Sequence, residues 1–238
     1  MSQYAGVAAV LFDLDGTLID HTRQIEDLCR ETLDAFRDHL PPISPDRFWE
    51  TFWLKNHDLW YMVVDGVLAG DVARLYSFVN TLRALKSDDR LAGPMLEDWE
   101  GRILAATRLF DDSLSTLCRL RSAGLRLGIV TNGFTAVQTR KIDRHALQDY
   151  VNFTLISEEV GVFKPNPDIF RLAVERAGVT AQEALFVGDT PASDIQGACE
   201  AGLPAVLIDP HEVWADEVGP AVPRLRRLRE LLPLLGVT

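Results

Sequence analysis

The stretch "VAAVLFDLDGT", Val7 to Thr17, decides how this chain is read. Its first six residues, Val7 to Phe12, are apolar with β-branched and aromatic members, a run suited to a strand buried on both faces. The run ends at Asp13 and Asp15, and the Asp15-Gly16 pair marks a tight turn directly after it. Residues two apart on an extended chain point the same way, so Asp13 and Asp15 are expected side by side at the strand's end. Like charges that close repel unless a cation or a proton sits between them. A strand and its turn account for a lone Asp-Gly pair and leave the second carboxylate without a reason.

Working outward, four more apolar runs read as buried strands: "LRLGIV" to Val130, "FTLIS" to Ser157, "ALFVG" to Gly188 and "AVLID" to Asp209. Helical segments alternate with them, a pattern that predicts an α/β fold with a Rossmann-like, mostly parallel sheet. One helix is punctuated in "NPDIFRLAVERAG", with Asn166 as N-cap, Pro167 in the first turn and Gly178 as the left-handed stop. The stretch from Ile19 to Leu109 breaks the rhythm and reads as successive helices. Ile25, Leu28, Cys29, Leu33, Phe36 and Leu40 form one stripe. Ser44-Pro45 opens a second helix, Gly70-Asp71 a third, and Gly93-Pro94 precedes a fourth running to about Phe110. The expected organisation is a core of residues 1–18 and 110–238 with an inserted α-helical cap of residues 19–109. Ligands of open α/β sheets bind beyond the carboxyl ends of the strands, so an insertion leaving there is expected to form a lid.

The bulk numbers fit an ordinary globular protein: 238 residues, 47% hydrophobic and 25% charged. A formal charge of −11 argues against nucleic acid or an anionic membrane as the main partner. A small phosphorylated substrate stays compatible if a bound divalent cation supplies local positive charge. Cys29, Cys118 and Cys199 are odd in number and scattered, and are expected to be buried free thiols in a reducing compartment. The opening "MSQYAGVAAVLF" lacks a basic leader, and its apolar stretch is too short to span a membrane, which points to the cytoplasm.

Three more strand ends carry polar residues. Thr131-Asn132-Gly133 follows the second run, Lys164 the third, and "DTPASD" with Asp189 and Asp194 the fourth. Singly, each has a plain explanation as a turn, a solvated lysine or a helix cap. In a parallel sheet all four ends share one edge. Carboxylates gathered there without imidazoles suit Mg²⁺. A hydroxyl, a lysine and backbone N–H groups suit a phosphate.

In order, "FDLDGT", "TNG", "KPNP" and "GDTPASD" resemble the four motifs of the haloacid dehalogenase-like (HAD) hydrolases, in the subgroup with a helical cap after the first motif. The resemblance implies that Asp13 is the nucleophile forming an aspartyl-phosphate, and Asp15 the general acid and then base. It implies that Thr131 and Asn132, the latter through nearby backbone N–H groups, bind the phosphoryl group, and that Lys164 neutralises charge. It implies that Asp13, the Asp15 carbonyl and Asp189 hold Mg²⁺, with Asp194 a ligand through water or a partner for Lys164. Dehalogenating members resemble this pattern but usually carry a bulky non-carboxylate where Asp15 stands, so Asp15 favours phosphate esters. The expected activity is Mg²⁺-dependent hydrolysis of a small phosphorylated metabolite. A phosphomutase of the β-phosphoglucomutase kind and a non-catalytic HAD-fold binding protein are the alternatives. Within the cap, "FWETFWLKNHDLWYM" reads mostly as packing, with Phe48, Phe52 and at least one tryptophan in its core. Lys55, Asn56 and His57 interrupt its apolar pattern and mark a candidate break from which a polar side chain would reach the leaving group. His21 is a second candidate for that contact.

Overall fold

In the computed structural model, residues 4, 6–20, 25–214 and 222–237 are described. The chain divides into two compact units, one of residues 1–21 with 108–238 and one of residues 22–107.

The first unit is built on a six-stranded parallel sheet in the order β5-β4-β1-β6-β7-β8. Its strands are β1 (Ala9–Phe12), β4 (Arg126–Thr131), β5 (Phe153–Ile156), β6 (Ala184–Gly188), β7 (Ala205–Ile208) and β8 (Arg224–Leu225). The five expected strands are all present. β1 is fully buried, and its side chains alternate between the two cores: Val10 and Phe12 on one face, Leu11 on the other. That double burial explains the unbroken apolar run. Three short strands carry no pattern in the sequence: β8, and the antiparallel ribbon of β2 (Ile19–Asp20) and β3 (Arg108–Leu109). The ribbon groups with the sheet, so the division between units falls at 21/22 and 107/108.

The helices of the second unit are α1 (Ile25–Ala35), α2 (Pro45–Val64), α3 (Gly70–Ala84) and α4 (Ala92–Ala106). Ser44 caps α2 by accepting from the Arg47 N–H at 3.3 Å. Phe48 and Phe52 are fully buried with Cys29, Leu33, Phe78 and Met95, and Trp49 packs against them. Two expectations are corrected here. α2 runs unbroken through Lys55, Asn56 and His57, because such residues cost a helix only a few tenths of a kcal/mol each. Asn56 accepts from the Ser77 hydroxyl at 3.1 Å, and His57 lies edge-on to Tyr61. α4 starts at Ala92 and takes Pro94 into its first turn, where no N–H is missed, and it ends at Ala106 rather than near Phe110. His21 lies outside the described residues.

The remaining helices used below belong to the first unit: α5 (Ser113–Ser122), α6 (Thr135–Arg144), α7 (Ser157–Val160) and α8 (Pro167–Ala177). On α8 the Asn166 side chain accepts from the Asp168 N–H, Pro167 opens the helix, and Gly178 stops it at φ +66°. The cysteine expectation holds in part. All three thiols are free and Cys29 is buried, but Cys118 is exposed. It follows Leu117 on α5, and one residue turns a helix by about 100°, which carries its side chain off the buried face.

Candidate active site

β1 sits at the centre of the sheet, with β4 on one side and β6 on the other. From there the chain builds outward in both directions, and the switch point of such a sheet is where a crevice opens. Asp13 extends β1 by one residue, its N–H donating to Val187 O at 2.9 Å. Thr131 closes β4, and Asp189 follows β6. A cavity of about 270 Å³ lies at these ends, lined by Asp13, Asp15, Thr131, Asn132, Lys164 and Asp189, with Gly16, Thr190 and Ser193 completing it.

Each side chain is held by a specific local device. After Asp13 the chain turns through Gly16 at φ +79°, so close to Asp189 that a Cβ there would lie 2.0 Å from its Oδ2. Only glycine fits. The Asn132 side chain is committed to the backbone of Lys164: its Oδ1 accepts from the Lys164 N–H and its Nδ2 donates to the Lys164 carbonyl, both at 2.8 Å. The asparagine therefore positions the lysine, and only its backbone is left to meet a ligand. Lys164 Nζ donates to Asp13 Oδ1 at 2.6 Å and to Asp194 Oδ1 at 2.7 Å. Asp194 is fully buried behind the cavity and also accepts from the Thr190 N–H at 3.0 Å. Trp214 Nε1 donates to the Asp189 carbonyl at 2.7 Å, steadying the loop after β6.

Oxygen atoms of Asp13, Asp189 and Asp194 lie within 4.8 Å of one another. Three carboxylates against the single ammonium of Lys164 leave a surplus of two negative charges. Burial, opposed by Lys164 but reinforced by Asp194 and Asp189, pushes the Asp13 carboxyl up to about 8. Burial and then Asp194 push Asp189 up to about 7. For Lys164, burial works to lower its pKa, and the attraction of Asp13 and Asp194 outweighs it, leaving a net upward shift. An all-oxygen, buried donor set with a deficit of positive charge fits a hard divalent cation. The Asp15 carboxylate is not part of that cluster among the described residues.

Asp15 instead turns to α6. Lys141 Nζ donates to both of its oxygens, at 2.9 and 2.7 Å, and Gln138 Nε2 donates to Oδ2 at 3.0 Å. The positive partner expected beside the paired carboxylates is thus two lysines, Lys164 for Asp13 and Lys141 for Asp15. Gln138 and Lys141 were not legible as site residues, since polar residues on a helix following a turn ordinarily face solvent. One signal was present: they stand three apart and share a helix face with Ile142.

With fold and site in place, comparison with known proteins defines the class. The model of the haloacid dehalogenase-like hydrolases matches residues 7–202. The chain belongs to this family. It is 38% identical over 207 residues to a glyceraldehyde 3-phosphate phosphatase of Methanothermobacter thermautotrophicus, covering 84% of this chain and 85% of that protein. Among solved structures it resembles a HAD phosphatase from Thermococcus onnurineus, with 28% identity, a TM-score of 0.71, and 97% and 99% of the two chains covered. It equally resembles a 2-haloacid dehalogenase from Pseudomonas syringae, with 28% identity, a TM-score of 0.75, and 97% and 98% covered. Likeness of fold therefore does not separate ester hydrolysis from dehalogenation, whereas the archaeal relative named above is a phosphatase.

Proposed function

We propose that the protein is a Mg²⁺-dependent phosphatase that hydrolyses a small phosphate monoester through an aspartyl-phosphate. The observation that carries this is the pairing of Asp13, held by Lys164, with a second carboxylate, Asp15, in one cavity. A halide leaves without a proton, so Asp15 has work to do only when the leaving group is an alkoxide. The Asp13 and Asp189 carboxylates and the Asp15 carbonyl would hold Mg²⁺, which would neutralise charge on the nucleophile and the phosphoryl oxygens.

The chain's own residues then divide the chemistry. Asp13 attacks phosphorus, the ester P–O bond breaks, and Asp15 gives its proton to the departing oxygen. In the second half Asp15 takes a proton from water as the water attacks the acyl phosphate, the bond from phosphorus to Asp13 breaks, and inorganic phosphate leaves. Lys164 keeps Asp13 oriented and offsets charge on the transferring group. Thr131 Oγ1 and the backbone N–H groups after β4 bind the phosphoryl oxygens. Asp194 anchors Lys164 from behind. This division fits phosphoryl transfer, which depends on positioning and electrostatics more than on new covalent groups.

Every residue lining the cavity belongs to the loops at the strand ends and suits a phosphoryl group and its cation, so recognition of the organic part of the substrate is left to other surfaces. The named activity of the relatives makes glyceraldehyde 3-phosphate the first compound to try. Free thiols, and the lack among the described residues of any helix long and apolar enough to cross a membrane, support placing the enzyme in the cytoplasm. The decisive experiment measures inorganic phosphate released from a panel of phosphorylated metabolites, with Mg²⁺ and with chelator. Metal-dependent release supports a phosphatase. Isomerisation of a sugar phosphate without release would identify a mutase, and no turnover across the panel a binding protein.

A further inference from the structure

We propose that Lys141 and Gln138 are positioning residues for Asp15, and that through them α6 holds the proton-transfer carboxylate and the phosphoryl-binding hydroxyl of Thr131 in one fixed relation. This rests on reading Asp15 as the acid and base of the reaction.

Burial comes first. Gln138 and Lys141 are 2% and 5% exposed, on a helix face that apolar residues would ordinarily fill. An ammonium and a primary amide are costly to desolvate unless their donors are matched. Here they are matched by the site itself. Lys141 Nζ donates to both oxygens of Asp15 and holds the carboxylate in place. Gln138 adds the second constraint. A carboxylate only accepts, so the amide nitrogen of Gln138 must face Asp15, and the same nitrogen lies 2.7 Å from Thr131 Oγ1 and 3.2 Å from the Asn132 carbonyl. The close approach needs Gly133, where a Cβ would lie 2.8 Å from Gln138 Cγ.

The consequence is chemical. The contacts seen are those of the ionised carboxylate, the form Asp15 takes once it has handed its proton to the leaving oxygen, and Lys141 at both of its oxygens stabilises that charge. When Asp15 accepts a proton from water, Gln138 keeps Oδ2 aligned with Thr131, and so with the phosphoryl group. An ion pair that merely tied α6 to the loop after β1 would affect every substrate alike. A device that positions the proton donor would matter most for leaving groups that need the proton.

The test compares kcat/KM on phenyl phosphate with kcat/KM on 4-nitrophenyl phosphate, whose leaving group needs far less protonation. Because kcat/KM reports only the steps through phosphoryl transfer, hydrolysis of the acyl phosphate does not blur the comparison. Lys141→Met is expected to lower kcat/KM on phenyl phosphate by about 100-fold and on the nitrophenyl ester by less than about tenfold, within the range typical of general-acid contributions. Lys141→Arg, which keeps charge and donors, should recover part of that ratio. In an Asp15→Asn background Lys141→Met should move the ratio by less than about twofold, since its target is gone. Equal losses on both esters in folded Lys141→Met, or an undiminished effect in the Asp15→Asn background, would overturn the proposal. Should Lys141→Met not fold, Gln138→Met carries the test: a shift in the same direction supports it and an unchanged ratio refutes it. If Asp15→Asn alone falls equally on both esters, Asp15 is not the acid, and both the underlying assignment and this proposal fail. If Asp15→Asn discriminates and the Lys141 and Gln138 variants do not, only the proposal fails.

Discussion

Gly16→Ala probes the site without touching any residue that carries chemistry. The glycine adopts φ +79°, and a Cβ built on it would lie 2.0 Å from Asp189 Oδ2 and 2.5 Å from its Cγ. Non-bonded carbon and oxygen atoms do not approach below about 3 Å, so the carboxylate must retreat by about 1 Å. It has little room to do so. Its carbonyl is tied to Trp214, its Oδ1 accepts from the Thr190 hydroxyl at 3.2 Å, and Asp13 and Asp194 crowd it. The left-handed backbone adds about 1–2 kcal/mol of strain for any residue with a Cβ. Stability should therefore fall modestly, while a 1 Å displacement of Asp189, one of the carboxylates proposed to hold Mg²⁺, should lower kcat/KM by about 100-fold and weaken Mg²⁺ binding. Gly178→Ala is the matched control: it shares the left-handed backbone at φ +66°, and nothing lies within 4 Å of its would-be Cβ. Calorimetric Mg²⁺ titration, kinetics on 4-nitrophenyl phosphate and thermal melts of both variants separate strain from clash. If Gly16→Ala binds Mg²⁺ and turns over like Gly178→Ala, the approach of Asp189 to this turn does not set the metal geometry.

Lys164→Met leaves Asp13 and Asp194 buried without their ammonium, and should cost about 3–5 kcal/mol of stability and at least about 100-fold in kcat/KM. Denaturant melts and kinetics check it, and near-wild-type values for both would remove Lys164 from the site. The metal should act more strongly at higher pH. Asp13 and Asp189 are pushed up to about 8 and about 7 from an ordinary 3.8, so between those limits the folded protein holds protons that the unfolded chain has released. Its metal-free stability thus falls as pH rises from about 4 to about 8, and a cation must displace the same protons to bind. The rise in melting temperature on adding Mg²⁺ should be larger near pH 8 than near pH 6, and a rise independent of pH contradicts the assignment. In the helical unit Phe52 is fully buried, with ring centres 4.8 Å from Phe78 and 5.0 Å from Trp99. Phe52→Ala should destabilise that unit by about 3–5 kcal/mol in denaturant melts, and a loss under about 1 kcal/mol would mean the cluster repacks freely.

What could be read in advance follows from how each feature is encoded. The buried strands were legible because double burial demands an unbroken apolar run, as in Val10, Leu11 and Phe12. The first-motif carboxylates and the polar strand ends were legible because they interrupt such runs. β2, β3 and β8 were not, since two-residue strands owe their existence to a neighbour and leave no period. The polar residues Lys55 to His57 resemble a helix break in the sequence but do not form one, since Ser77 on α3 satisfies Asn56 and the helix runs on. Lys141 and Gln138 escaped notice because their value lies in a partner more than 120 residues away in the chain.

The central place of β1 also bears on the order in which the chain can fold during synthesis. β1 ends at Phe12, yet its two neighbours begin at Arg126 and Ala184, with the whole helical unit emerging between them. At the usual pace of about 5–20 residues per second, the strand waits roughly 10–35 seconds after leaving the ribosome before β6 exists to pair with it. The helical unit, a compact unit within residues 22–107, faces no such delay and can close while β1 is still unpaired. Until β4 emerges this buried, apolar strand is an open edge on both sides, and until β6 emerges on one, the condition under which nascent chains recruit chaperones or aggregate. Chains arrested on the ribosome before Ala184 should be cleaved readily by protease around β1 while the helical unit resists. Protection of β1 at that length would mean the strand finds another partner first.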